Sequence, residues 1–247
     1  HRLFYTAFPI CAAAGLHTFL WVCTNTDPGR AQARFEDLMH RTVLSRHARS
    51  YGWETMGIYY RGLGLSEVAL KAYQQALRAD PDNPRHWSAA GTLLFSLEKK
   101  REAARHLEKA ISIRPDMAEV HSNLGNVYSD SGREEEAQRH FERAIALNPE
   151  FAGAYSNLGN SLFKTGQFKE AIEAFNKALR IEPDMADVHY NLGNTYLAVG
   201  EYEDALKQYK RALVLKPDFD GAHLNLGNAL YDMGKFGMAM KAFEAVL

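Results

Sequence analysis

The stretch "AYSNLGNSLFKTGQFKEAIEAFNKALRIEP", Ala154 to Pro183, decides the fold. In its first half Tyr155, Leu158, Gly159 and Leu162 recur at helical spacing; a polar turn containing Gly166 follows, and Ala171, Phe175 and Ala178 form a second stripe. Apolar residues at steps of three and four mark one face of an amphipathic helix, so the segment reads as two helices joined by a short turn. Pro183 closes the second helix, because proline lacks the amide hydrogen and its ring blocks continuation. The small Gly159 and Ala171 let the two helices approach closely.

The same pattern extends in both directions. Prolines fall at Pro81, Pro115, Pro149, Pro183 and Pro217, each thirty-four residues after the last. Glycines keep that step at Gly57, Gly91, Gly125, Gly159, Gly193 and Gly227, and alanines at Ala69, Ala103, Ala137, Ala171, Ala205 and Ala239. A period shared by three residue types means an array of one supersecondary unit. Units begin at residues 50, 84, 118, 152, 186 and 220, the last one incomplete.

On these residues the array resembles the tetratricopeptide repeat. That resemblance implies an all-α, right-handed solenoid of about six helix-turn-helix repeats, with the first helix of each unit lining a concave groove. The wording "AEVHSNLGNVY" (Ala118–Tyr128) and "KPDFDGAHLNLGNALYDMGKF" (Lys216–Phe236) is similar to the repeat array that precedes the catalytic region of O-linked N-acetylglucosamine transferases. Nothing in these residues matches that catalytic region, so the activity does not carry over. The first unit departs from the pattern, with Thr55 and Ile58 where units three to six carry Asn, and Met56 in place of Leu.

The four-letter word N-L-G-N recurs as Asn123–Asn126, Asn157–Asn160, Asn191–Asn194 and Asn225–Asn228. At 100° per residue the two asparagines of a pair lie about 60° apart and away from the glycine, outside the packing between the two helices of a unit. The resemblance puts that side on the groove, beside Ser122, Ser156, Tyr190 and Leu224. A carboxamide both donates and accepts, so a ladder of them bonds an extended peptide backbone without choosing its side chains, while Phe163, Tyr190 and Tyr231 supply apolar anchors. The partner-binding candidates are therefore the eight asparagines and these three aromatics. A clamp for a chain-terminal carboxylate requires successive basic groove residues, and Arg85 is isolated. His121, His189 and His223 share a repeat position, but repeat mates are separated by whole helix pairs, so they read as half-buried packing residues rather than metal ligands. Runs such as "REEEAQRHFERA" (Arg133–Ala144) carry the charge spacing of a solvated helix. No phosphate loop or nucleophile motif appears, so no catalytic residue, metal or cofactor is expected.

The chain has 247 residues and a formal net charge of −1, which gives no global basic field to draw nucleic acid. Both cysteines, Cys11 and Cys23, lie near the start, so no disulfide framework exists beyond Thr24. From Leu3 to Thr26 there is no Asp, Glu, Lys or Arg. That run meets the roughly 20 residues needed to cross a hydrocarbon core of about 30 Å, with Tyr5 and Trp21 near its ends, Pro9 as a tolerated kink and His17 as the one ionisable group. Arg2 and the alanines at 12–14 make a weak signal-peptide match, and neither cysteine is preceded by the small residue of a lipoprotein signal.

A membrane span over residues 1–26 is thus expected, then a juxtamembrane helix over 27–49 that caps the array, with Asp27 as N-cap and Pro28 at its first position. Arg30, Arg34, Arg41, Arg46 and Arg49 outnumber Asp27, Glu36 and Asp37, a bias toward the cytoplasmic side. The chain opens at His1 and stops inside the helical pattern at Leu247, so sequence on both sides is expected. The leading expectation is a membrane-anchored interaction or assembly module that binds a peptide or partner subunit in its groove. The competing one is the tail of a polytopic membrane glycosyltransferase whose repeats present acceptor protein, facing the lumen or periplasm. A third is a structural subunit of a larger membrane complex whose groove is filled by a neighbour.

Overall fold

A computed structural model describes residues 46–245. The expected membrane span, and all but the last four residues of the expected juxtamembrane helix, lie outside the described residues. Among the described residues no helix is long and apolar enough to cross a membrane. Every regular element there is a helix, and the chain divides into two compact units after Pro81.

The first unit is a hairpin of α1 (Arg46–Gly62) and α2 (Ser66–Ala79). The second contains five hairpins in series: α3 (Pro84–Ser96) with α4 (Lys100–Ile113), α5 (Ala118–Ser129) with α6 (Glu134–Leu147), α7 (Ala152–Lys164) with α8 (Phe168–Ile181), α9 (Ala186–Ala198) with α10 (Tyr202–Leu215), and α11 (Asp220–Asp232) with α12 (Phe236–Glu244). Within this unit the second helix of each hairpin packs on the first helix of the next, and successive first helices also touch. The six helix pairs start close to the positions set by the thirty-four-residue period.

What holds each hairpin together is a side chain laid on a glycine. A Cβ added at Gly125 would meet the ring of Phe141 at 2.5 Å, at Gly159 the ring of Phe175 at 2.7 Å, and at Gly193 the ring of Tyr209 at 2.6 Å. Gly57 faces Tyr73, Gly91 faces Leu107 and Gly227 faces Phe243 in the same way. Tyr73, Phe141, Phe175 and Tyr209 are all but fully buried, so the large residue of the second helix sits directly on the backbone of the first. Alanine at the start of each second helix completes the close approach, and Ala69, Ala103, Ala137, Ala171 and Ala205 are 0% exposed.

The turns are set by backbone geometry. Gly166 has φ +77°, and the amides of Gly166 and Gln167 donate to the carbonyls of Phe163 and Leu162 at 3.0 and 2.9 Å. This pair of bonds closes the first helix with a left-handed residue, a conformation open to glycine at little steric expense. Glu98 holds the same repeat position with φ 59°, so one turn of the array is strained. At the other end of the first five hairpins the residue before proline (Asp80, Arg114, Asn148, Glu182 or Lys216) leaves the helical region with ψ between 84° and 99°. The proline ring disfavours the helical conformation in its predecessor, which is why the second helices of these five hairpins stop there.

Two substitutions test the joint. Gly159→Ala drives a methyl into the buried Phe175 ring, and Ala171→Leu adds three carbons where no space exists. Each should lower stability by about 1–3 kcal/mol in urea denaturation, outweighing the roughly 1 kcal/mol by which alanine normally improves a helix over glycine. A midpoint unchanged or raised for Gly159→Ala would show that the ring does not set the helix spacing.

Candidate functional site

The asparagine pairs, expected to lie off the helix-helix joint within each unit, serve the joint between hairpins, and Asn194 also bonds Tyr209 in the joint of its own hairpin. The first asparagine of each pair donates its amide backward to the first helix of the preceding hairpin. Asn123 Nδ2 reaches Thr92 Oγ1 at 3.2 Å, Asn157 reaches Ser122 Oγ at 3.3 Å, and Asn191 reaches Asn160 Oδ1 at 2.9 Å. Asn225 Nδ2 contacts both Asn194 Oδ1 at 2.7 Å and the Tyr190 hydroxyl at 3.1 Å. The asparagines thus bond to one another or to their register neighbours along the stacked first helices, which sequence spacing within one helix does not reveal.

The second asparagine of each pair plays a more varied part. Asn160 and Asn194 accept the backward bond, and Asn194 Oδ1 also accepts from the buried hydroxyl of Tyr209 at 2.9 Å. At the corresponding place in the first hairpin stands Ile58, and there the hydroxyl of the buried Tyr73 has no hydrogen-bond partner among the described residues. The Asn126 side chain makes no hydrogen bond among the described residues, and Asn228 is exposed.

A cavity of about 520 Å³ opens across the first helices of three successive hairpins, α5, α7 and α9. Ser122, Asn123, Asn126, Ser156 and Asn157 form its amide and hydroxyl wall. Phe151, Gly153, Met185 and Val188 give it apolar surface, and Asp184 and Asp187 stand at one side. Three of the eight candidate asparagines therefore line it, and Asn160, Asn191, Asn194, Asn225 and Asn228 do not. The three candidate anchors also part company. Phe163 packs against Phe168 of its own hairpin, with ring centroids 5.5 Å apart, and Tyr190 is held between Phe219 at 4.7 Å and Tyr209 at 6.1 Å. Tyr231 remains 59% exposed against Phe236. The apolar surface of the cavity comes instead from Phe151 and Met185, which precede their helices and fall outside the helical periodicity that sequence reading follows.

The repeated histidines prove to be clasps between hairpins. His121, His189 and His223 each point Nε2 at the carbonyl of the proline six residues earlier, Pro115, Pro183 and Pro217, at 3.1, 3.0 and 2.9 Å. The ring therefore bonds the linker that proline creates, and Nε2 carries the hydrogen. For His121 this leaves Nδ1 bare to accept from Nδ1 of His140 on α6 at 3.1 Å, with the rings stacked 27° from parallel. Burial holds both imidazoles below the ordinary histidine range. The charges facing the pair are Glu108 from α4 and Arg139 and Arg143 from α6. Beside them Tyr128 donates to Glu108 Oε1 at 2.5 Å, and burial with that bond pushes its hydroxyl up to about 12. Among the described residues no group of three His, Cys, Asp or Glu is placed to hold a metal ion.

With this geometry in view, the chain can be set beside known proteins. A family model described as tetratricopeptide repeat matches residues 55–118, and one described as TPR repeat matches 125–166, 159–200 and 193–234. No curated protein matches the chain. Among solved structures it is similar to the MamA protein, with 28% identity and a TM-score of 0.61 over 69% of this chain and 93% of that one. It is also similar to YrrB, described as a TPR protein with an unusual peptide-binding site, with 26% identity and a TM-score of 0.59 over 69% of this chain and 88% of that one. PilW, a widely conserved type IV pilus biogenesis factor, shares the fold at 23% identity and a TM-score of 0.72, over 79% of this chain and 90% of that one.

The histidine pair makes stability depend on pH. Both folded pKa values lie below the ordinary value, so the unfolded chain binds protons more readily; stability is full above about pH 6.5 and falls as pH drops through that value. The urea midpoint should therefore fall between pH 7 and pH 5. His140→Gln installs the residue that partners His189 at this register, Gln208, and should flatten that fall. An equally steep fall in the variant would acquit the pair.

Proposed function

Because the chain is an array of tetratricopeptide repeats, we propose that it is a protein-interaction module whose groove takes an extended segment of a partner protein. The observation that carries this reading is the cavity spanning three consecutive first helices, walled by Asn123, Asn126 and Asn157 and floored by apolar residues. An asparagine amide has two hydrogens and a carbonyl oxygen, so a backward bond from one hydrogen leaves the rest of the group for a ligand backbone. The same bonds fix the orientation of the amides before any ligand arrives, which lowers the entropy lost on binding. The likeness to YrrB, a peptide-binding protein of the same fold, points the same way.

Asn126 separates binding from stability, since it lines the cavity and its side chain supports no hydrogen bond among the described residues. A randomised twelve-residue peptide library displayed on phage and panned on the full chain should yield binders whose affinity drops roughly fivefold or more with Asn126→Ala, at an unchanged melting temperature. Asn225→Ala, by contrast, should lower the melting temperature and leave those peptides bound. Binders indifferent to Asn126→Ala, or no binders at all, would remove the groove from the function.

We also propose that the module is tethered to a membrane through residues 3–26, a reading supported by the uncharged run in the sequence alone. Membranes from cells expressing the full chain, washed in alkaline carbonate, should retain it in the pellet. Release to the supernatant would overturn the tether.

A further inference from the structure

The residues that open successive first helices alternate with a period of two repeats. Met117, Glu119 and Val120 open α5, Phe151, Gly153 and Ala154 open α7, Met185, Asp187 and Val188 open α9, and Phe219, Gly221 and Ala222 open α11. The alternation has a steric cause. Where phenylalanine precedes the helix its ring lies over the second helical residue: a Cβ at Gly153 would meet Phe151 at 3.2 Å, and one at Gly221 would meet Tyr190 at 3.2 Å and Phe219 at 3.6 Å. A side chain there would have to push the neighbouring ring aside by a few tenths of an ångström. Where methionine precedes the helix the same position holds an exposed acid, Glu119 or Asp187.

Along this line, then, acid, aromatic, acid and aromatic succeed one another, and Asp187, Phe151 and Gly153 share the cavity already described. No Lys, Arg or His lines that cavity, and Asp184, its other acid, is paired with Arg211 at 2.8 Å. Arg85 holds the register position at the start of α3, so the line changes sign at that end.

Resting on the groove reading above, we propose that the occupant is an extended peptide in which basic side chains about six residues apart flank an apolar one midway. The basic groups meet Glu119 and Asp187, and the apolar side chain meets Phe151. The spacing follows from dimensions: neighbouring packed helices stand about 8–10 Å apart, and an extended chain rises about 3.3 Å per residue. One repeat of groove therefore spans about three peptide residues. An acid near a helix start also complements the helix dipole, but that effect acts on the folded chain alone and favours no ligand. A binding preference separates the two roles.

The test uses fluorescence anisotropy with the full chain and labelled twelve-residue peptides. One carries Lys at its third and ninth positions with Leu at the sixth; a second replaces both Lys by Glu; a third moves the second Lys to the sixth position and Leu to the ninth. The first should bind roughly tenfold tighter than the second and about threefold tighter than the third, with the preference shrinking as salt rises. Combining Glu119→Gln with Asp187→Asn should erase the preference for Lys over Glu, whereas Asn126→Ala should weaken the first two peptides alike. If Lys and Glu peptides bind equally, or the double variant keeps the preference, the charge pattern is not read. Should that occur while Asn126→Ala still weakens binding, the groove reading stands and this one falls. Absence of binding by all three overturns both.

Discussion

A large side chain resting on a bare glycine backbone, a buried ring in four of the six described hairpins, sets the geometry of each hairpin. Phe175 on Gly159 and its equivalents bring two helices closer than any side chain at the glycine position would permit. Once that distance is set, the alanine facing it has no choice of size, and the turn between the helices must close within a few residues, which the left-handed Gly166 achieves. The hairpin is rigid because its closest contact is steric and close-packed matter does not yield by fractions of a methyl group.

Stacking hairpins requires a different chemistry, and it is polar. The backward amide bonds of Asn123, Asn157, Asn191 and Asn225 run along the stacked first helices, and the histidine clasps to Pro115, Pro183 and Pro217 hold the linkers. Each such bond contributes only about 1 kcal/mol, but it fixes direction as well as distance. Apolar packing between hairpins, such as that around Leu206, Leu226 and Leu230, tolerates small rotations that a hydrogen bond of 2.7–3.3 Å does not. A groove built on several consecutive helices depends on that angular precision. The asparagines proposed as ligand contacts are thus also the parts that shape the cavity.

The repeat, the hairpin and the residues of the ring-on-glycine joint were legible in the sequence because they recur at one fixed step and each answers to local sterics. The asparagine face was legible as far as helical periodicity reaches: Asn123 and Asn157 do lie on the cavity. The ring contacts of two aromatic candidates were not legible. Phe163 and Tyr190 satisfy the same periodicity yet turn to neighbours within the array, because a half-exposed ring near another ring gains more by packing on it than by facing water. Phe151 and Met185, which do line the cavity, sit ahead of their helices, where no periodic rule places a side chain.

The amino-acid sequence by itself determined an all-helical array of thirty-four-residue units, the glycine, alanine and proline positions that recur in each, and the close approach of two helices at the small residues. These are consequences of short-range geometry, repeated until chance is excluded. Only the tertiary structure decided that the first asparagine of each pair bonds backward, that the histidine ring clasps the proline carbonyl, and which three of the eight candidate asparagines line an open cavity. Those outcomes depend on the angle between one hairpin and the next, and that angle is set by all the contacts of the joint together rather than by any one stretch of chain.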